Sequence, residues 1–277
     1  MDAAPGSPIS VSELQARLAA FPPPTLVDVR AADALARDPQ VIAGAPRRDP
    51  GAVESWSREV EPWRPVVVYC AHGHERSQGA AGALRAHGFD ATHLAGGFDA
   101  WRAAGGALEP AREPTRWVTR ERPKIDRIAC PWLIRRFIDP AAEFFYVPTS
   151  DVRAFAAANA AEPYDVPDVK YTHAGPHCSF DAFIRIHGLR DGALDDLALI
   201  VRGADTSALD LAPQAPGLLA ASRGLSRMFG DDHAMLHWGM LLYDSLYTWC
   251  REARGETHDW DPAKIRAAAT TERRKSA

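Results

Sequence analysis

Hydrophobic positions in the first part of the chain alternate between helical spacing and short continuous runs. Ser10 and Glu13 have the spacing of a capping box, and Leu14 and Leu18 follow at helical intervals. Pro22-Pro23-Pro24 ends that helix, since proline cannot continue it. Thr25-Leu26-Val27-Asp28-Val29 reads as a short buried strand. Val66-Val67-Val68-Tyr69 reads as a stronger one, continuous and β-branched as in parallel sheets. A helix is predicted near 78–87 with Gly88 as its stop, then a short strand at Thr92-His93-Leu94 and a last helix over 98–104, ended by Gly105-Gly106. Strands alternating with helices predict an α/β layered domain with a mainly parallel sheet.

The second half has a different rhythm. Helical patterns dominate over 125–138, 179–187, 193–204, 217–228 and 231–254. Phe144-Phe145-Tyr146-Val147 is the one convincing strand, with Val169-Lys170-Tyr171 a weaker second. A mostly helical α(+β) domain is therefore expected. The segment 105–114 is small, Gly/Pro-rich and charged, which places the boundary there and gives domains of 1–110 and 111–277. No internal repeat or low-complexity tract interrupts either half.

Composition adds exclusions. The 277 residues are 46% hydrophobic and 25% charged, the profile of a globular protein with room for a sizeable core. The formal net charge of −4 gives no global basic field for nucleic acid, although Arg116, Arg120, Arg122, Lys124 and Arg127 form a local basic patch. The four cysteines, Cys70, Cys130, Cys178 and Cys250, are far apart with no CxxC pair. This argues against a disulfide framework and against an all-cysteine zinc site. MDAAPGSPIS lacks the basic and apolar regions of a signal peptide, and no apolar run reaches membrane-span length. A reduced, cytoplasmic setting without membrane partners is expected.

Cys70 carries the clearest chemistry. It follows a buried strand and is followed at once by Ala71, His72, Gly73, His74, Glu75, Arg76 and Ser77, which lead into a helix. Ligands of parallel sheets bind at this carboxyl edge. Turn amides and the helix dipole there favour a thiolate or a bound anion. Arg76 offers a planar fork for an oxyanion, and His72 and His74 offer donors or proton transfer. The alternative is an inert cysteine buried at a strand end. This half resembles the rhodanese family at several places in order. These are Leu26-Val27-Asp28-Val29-Arg30, Val41-Ile42-Ala43-Gly44-Ala45, the loop from Cys70 to Arg76, and Leu94-Ala95-Gly96-Gly97-Phe98-Asp99-Ala100-Trp101. The resemblance spans roughly residues 8 to 106. It implies a persulfide relay in which Cys70 accepts a sulfane sulfur and passes it on. Five residues separate Cys70 from Arg76 where the common sulfurtransferase loop has four. The longer loop is similar to the phosphatase and arsenate-reductase branch, and a wider loop suits a tetrahedral oxyanion. Glu75 opposes anion binding if it points inward.

In the second half, the block from Trp117 through Cys130-Pro131-Trp132 to Asp139 resembles the C-terminal domain of ChrB-type chromate-resistance proteins. His177-Cys178-Ser179-Phe180-Asp181-Ala182-Phe183 and Asp231-Asp232-His233 fit the same family. The resemblance implies a role in chromate resistance without fixing an activity. Regulatory members carry an N-terminal DNA-binding region. Here the rhodanese-like part takes that place and no helix-turn-helix precedes the block, so direct nucleic-acid binding is not expected. His233 and His237 share a helix face, with Asp244 nearly aligned, and His173, His177 and Cys178 lie in a turn-rich segment. A zinc or iron site is a candidate in this domain. Its expected ligands are His233 and His173, with Asp232 or Asp126 orienting them; the alternative is an ordinary amphipathic helix. Asp231 and Asp232 are expected to cap that helix. Cys130 is activated if a helix starts beside it and inert if the helix starts at Asp126, and Cys250 is expected in the core. The aromatic helix around Trp238, Tyr243 and Tyr247 fits either a packing surface or a homodimer interface.

Two functions follow. The first is a rhodanese-like sulfurtransferase, or an oxyanion-handling thiol enzyme, linked to chromate and heavy-metal stress and acting on a small sulfur donor or oxyanion. The second is a metal- or oxyanion-sensing adaptor that does not bind DNA.

Overall fold

The structure, a computed structural model, describes residues 6–256. They divide into two compact units, one built mainly from residues up to Arg112 and the other from Glu113–Arg254.

In the first unit, α1 (Val11–Ala19) starts where the pattern placed it. The Ser10 hydroxyl accepts the Glu13 N–H at 3.2 Å, and the Glu13 carboxylate accepts the Ser10 N–H at 2.9 Å. The chain continues through β1 (Thr25–Asp28), α2 (Ala32–Arg37), β2 (Gln40–Ile42), α3 (Val53–Trp56), β3 (Val66–Tyr69), α4 (Glu75–Ala86), β4 (Ala91–His93), α5 (Gly97–Ala103) and β5 (Leu108–Pro110). A three-stranded parallel sheet has the order β1-β3-β4, with all of β3 buried. Side chains alternate across a strand, so β3 feeds two cores. Val66 and Val68 pack with Trp56, Ala80, Ala81 and Leu84 on one face. Val67 and Tyr69 pack with Leu14, Leu94, Phe98 and Trp101 on the other. Helices covering both faces explain why this strand is continuously apolar.

The Asp-x-Arg ending of β1 turns inward. Arg30 donates to Asp28 through Nε at 2.8 Å and Nη2 at 2.6 Å, reaches the Gln40 carbonyl, and lies 4.0 Å over the Phe98 ring. It therefore braces β2 and α5 from the inside. The segment 105–114, read from sequence as a boundary, contains β5, which pairs antiparallel with β2. The Trp101 indole N–H donates to the Ala107 carbonyl at 3.0 Å. Three residues are too short for an alternating pattern to register, so glycines and prolines dominated the reading.

The second unit runs β6 (Arg116–Arg120), α6 (Asp126–Phe137), β7 (Glu143–Val147), α7 (Val152–Asn159), β8 (Glu162–Pro163), α8 (Ser179–His187), α9 (Gly192–Asp205), α10 (Ala215–Met228) and α11 (Asp232–Thr248), which ends in a π turn over Trp249–Ala253. It is mostly helical, as expected, around a parallel sheet of order β7-β6-β8. The central strand β6 and the helix α7 were not anticipated. Val169–Tyr171 contributes only a bridge from Tyr171 to Tyr164. Four of the five cations of the basic patch are engaged internally. Arg116 pairs with Glu143 and Arg120 and Arg127 with Asp165, while Arg122 donates to the Ser226, Phe229 and Gly230 carbonyls at the end of α10.

Pro131 sits inside α6 and cannot donate to Arg127, the carbonyl one turn back. That carbonyl instead faces the hydroxyls of Tyr146 at 3.3 Å and Tyr164 at 3.5 Å. Gly239 lets α11 approach α6, since a Cβ there would come within 2.5 Å of Ile128. The contact centres on Trp132, fully buried among Phe137, Phe180, Tyr243 and Tyr247. Its indole N–H and the Arg136 guanidinium both donate to the buried Asp244 carboxylate, each at 2.8 Å. Asp244 is thus an ion-pair partner rather than a companion of the helix histidines. Among the described residues, no helix is long and apolar enough to cross a membrane.

Removing Asp244 would take a paired carboxylate from the buried Arg136 guanidinium. Asp244→Ala is expected to lower unfolding free energy by about 3–5 kcal/mol in denaturant titration, the cost of breaking a buried pair. Asp244→Asn, which keeps an acceptor for Trp132, should cost less; equal losses would show that charge pairing is not what holds this contact.

Candidate functional site

Cys70 closes β3, and its Sγ lies 3.2 Å from the Ser77 hydroxyl on the first turn of α4. The thiol is 7% exposed. Burial acts to raise its pKa, but hydrogen bonds from the Ser77 hydroxyl and from the backbone N–H groups of His72, Ser77 and His74 together hold it below the ordinary thiol value. The loop curls because Gly73 adopts φ +74° and packs against the Gly96-Gly97 turn. A Cβ on Gly97, at φ +61°, would meet the Cys70 carbonyl at 2.3 Å and the Gly73 nitrogen at 2.5 Å. Phe98 and Asp99 N–H groups then donate to the Cys70 and Ala71 carbonyls at 2.9 and 3.0 Å. The two motifs read separately in sequence thus form one structure, with the glycine turn as the floor of the cysteine loop.

The remaining loop residues divide by exposure. Gly73 and Ser77 are buried, Ala71 is half-buried, and His72, His74, Glu75 and Arg76 are exposed. His72 Nδ1 lies 2.8 Å from Asp99 Oδ2, which tethers the ring to α5. Arg76, on the first turn of α4, makes no ion pair among the described residues. Glu75 lies at the same helix start and also faces solvent.

The second unit assembles a cluster the sequence did not announce as a set. Asp126 begins α6 beyond the carboxyl end of β6, Asp165 follows β8, Asp205 ends α9, and His173 precedes α8. His173 Nε2 lies 3.2 Å from Asp205 Oδ2, 3.4 Å from Asp165 Oδ1 and 3.5 Å from Asp126 Oδ2. Asp126 is fully buried, and its Oδ2 accepts the Ser179 N–H at 2.6 Å at the N-terminus of α8. Burial, and then the Asp205 and Asp165 charges, push the Asp126 carboxyl well above the usual range. Hydrogen bonding to Asp165 and the surrounding carboxylates raise His173 to about 9 against the opposing effect of burial.

His173 lies in this cluster, whereas His233, named with it from the sequence, does not. Among the described residues, the side chains close enough to share one cation are Asp126, His173 and Asp205. His233 is exposed on the first turn of α11, with its ring edge-on to Tyr146 at 5.6 Å. Among the described residues, no carboxylate or thiol joins it in a candidate cation cluster. Asp231 caps that helix by accepting the Ala234 N–H at 2.7 Å, and Asp232 Oδ2 accepts the Arg122 N–H. Because α6 starts at Asp126, Cys130 is interior and buried. Burial first, and the nearby carboxylates second, push its thiol well up. His177 lies beside Asp181, which Arg202 grips through two bonds at 2.6 and 2.9 Å. These residues and Arg185 line an open pocket of about 420 Å³ between α8 and α9. Asp165 and Asp205 had no motif to mark them; only the tertiary fold brings them together.

Comparison with known proteins agrees with this division. Residues 10–104 match the rhodanese-like domain family and residues 117–250 match the C-terminal domain of ChrB. The chain joins a rhodanese-like domain to a ChrB C-terminal domain. Protein ChrB of Cupriavidus metallidurans is 35% identical over 145 residues, which is 50% of this chain and 43% of that relative. The chain thus spans less than half of the relative's length. Among solved structures, a rhodanese-related protein from Thermoplasma volcanium is 24% identical with a TM-score of 0.33, covering 37% of this chain and 96% of its own. A rhodanese-like domain protein from Staphylococcus aureus is 27% identical with a TM-score of 0.31, covering 34% and 90%.

Selective alkylation tests the thiol environments of this rhodanese-like and ChrB-like chain. The thiolate is the reactive form, so a lowered pKa means that Cys70 reacts at lower pH than an ordinary cysteine. Iodoacetamide labelling followed by peptide mass mapping should give Cys70 a rate inflection below about pH 8.5, the usual thiol value. Burial pushes Cys130 and Cys178 up and Cys250 to about 11, so these should stay unlabelled in the folded protein. Ser77→Ala removes one donor and should move the Cys70 inflection upward; an unmoved inflection would assign the effect to the amides alone.

Proposed function

We propose that the rhodanese-like domain is a sulfurtransferase whose nucleophile is Cys70 and that the chain serves resistance to chromate or heavy-metal stress. The observation carrying this reading is the seat of Cys70 at the end of the central strand, its Sγ 3.2 Å from the Ser77 hydroxyl on the first turn of α4, in a loop that holds its thiol below the ordinary value. Such a loop holds negative charge on sulfur in the resting enzyme and in the persulfide. The Cys70 thiolate attacks the outer sulfur of thiosulfate, the S–S bond of the donor breaks, and sulfite leaves with the bonding electron pair. A thiophilic acceptor then attacks the terminal sulfur of the persulfide and regenerates the thiolate. Arg76, exposed and without an ion pair among the described residues, stands at the loop mouth to hold the donor's sulfonate oxygens. The link to chromate rests on the ChrB-like half, through its likeness to the family.

The five-residue spacing between Cys70 and Arg76 keeps oxyanion reduction and phosphate-ester hydrolysis as the competing chemistries. Thiosulfate:cyanide transfer, p-nitrophenyl phosphate hydrolysis and thiol-dependent chromate or arsenate reduction should be assayed side by side. Transfer is expected to fall to background in Cys70→Ser. In Arg76→Ala, kcat/KM for thiosulfate should fall about 10- to 100-fold, the worth of a charge-assisted hydrogen bond of about 1.5–3 kcal/mol. Cys70-dependent turnover in either other assay, with none in transfer, would replace this reading by an oxyanion one. Indifference of all three to Cys70→Ser would remove the enzymatic reading.

A further inference from the structure

We infer that Asp126, His173 and Asp205, with Asp165 beside them, form a binding site for one divalent first-row transition-metal ion, of the class of Mn²⁺, Fe²⁺ or Zn²⁺. The first ground is spacing. One donor atom from each of Asp126, His173 and Asp205 lies within 4.8 Å of the others, and His173 Nε2 is 3.2–3.5 Å from all three carboxylates. Metal–ligand bonds of about 2.1 Å at tetrahedral or right angles put neighbouring donors about 3–3.5 Å apart.

The second ground is independent of that spacing. Asp126 is 0% exposed and its Oδ1 has no hydrogen-bond partner among the described residues. A buried carboxylate oxygen without a donor is costly, and the Asp126 carboxyl also feels the charges of Asp205 and Asp165. A cation among them removes both penalties.

Surrounding groups orient the donors as outer-shell partners do in metal sites. Arg120 Nη2 at 2.8 Å and Arg127 Nε at 3.4 Å hold Asp165 Oδ2, which leaves Oδ1 facing His173 and the Ser179 hydroxyl. Ser179 N–H holds Asp126 Oδ2. Three carboxylates favour hard cations, and one imidazole moves the preference from Mg²⁺ and Ca²⁺ toward the transition series. The side chains close enough to share a cation are carboxylates and one imidazole, so the donor set is oxygen and nitrogen. The arrangement stands at the carboxyl ends of β6 and β8, where parallel sheets bind ligands.

The test uses the full chain, freed of metal by a chelator. Mn²⁺ is followed by loss of the free-ion paramagnetic resonance signal and Zn²⁺ by calorimetry. Saturable binding of either ion at one per chain is expected, with a rise in Tm. Asp205→Asn and His173→Gln, both at partly exposed positions, should each weaken binding at least about tenfold while leaving the metal-free Tm near that of wild type. Cys70→Ser should bind as wild type does. The inference is overturned if neither ion binds, if both cluster variants bind like wild type, or if Cys70→Ser abolishes binding. Should Asp205→Asn prove unstable, His173→Gln decides, because that side chain is 40% exposed and caps no helix.

Discussion

Both units depend on how a central parallel strand hands its chain to a helix at the carboxyl end. β3 and β6 are the middle strands of their sheets, so neither has an edge from which to recruit solvent. Helix N-termini arriving at that end carry N–H groups without intrahelical partners. In the first unit the acceptor for those groups is a sulfur, Cys70, against the start of α4. In the second it is a carboxylate, Asp126, against the start of α8. The same backbone requirement thus produces two different chemistries, decided by which side chain stands in the way.

The four cysteines show how strongly position overrides identity. Each is buried, yet only Cys70 has its thiol lowered, because there loop donors exceed the cost of burial. Cys130 and Cys178 face buried carboxylates, whose charge adds to desolvation, and Cys250 faces Asp196. A negative neighbour and a negative thiolate exclude each other, so a cysteine cannot be activated in the acidic unit without a metal or a compensating cation.

The first unit was legible because its signals are local. The Ser10–Glu13 box, the continuous Val66–Tyr69 run and the cysteine loop each lie within a few residues. What was missed there, β2 with β5, is short and pairs across a long separation in sequence. The second unit was half legible. Its helices announce themselves by period, but β6 has charged ends whose partners, Glu143 and Asp165, lie far along the chain. The candidate site followed the same rule. His233 and His237 drew attention because four residues is a visible interval on a helix. Asp126, Asp205 and the pair Asp165 and His173 come from three separate segments and share no helical or strand interval. The helix start beside Cys130 or at Asp126 was likewise left open by the sequence, and the hydroxyls of Tyr146 and Tyr164 beside the Arg127 carbonyl show how Pro131 is accommodated inside the longer helix.

Charge also decides which unit can meet an oxyanion. Around Cys70 the loop amides and the Arg76 guanidinium, without an ion pair among the described residues, attract negative charge, while Glu75 and Asp99 oppose it. In the ChrB-like unit the cluster is built from three carboxylates, and two of its nearest cations, Arg120 and Arg127, are already turned onto Asp165. A bare chromate dianion would have to enter among carboxyl groups already buried and crowded enough to raise the carboxyls of Asp126 and Asp205. Direct oxyanion capture by that cluster is therefore unfavourable. A metal held by the carboxylates would reverse the sign, since a divalent ion supplies the charge that the arginines have spent. On the proposed reading the anion is met by the cysteine loop, and the acidic cluster would join oxyanion chemistry only through a cation.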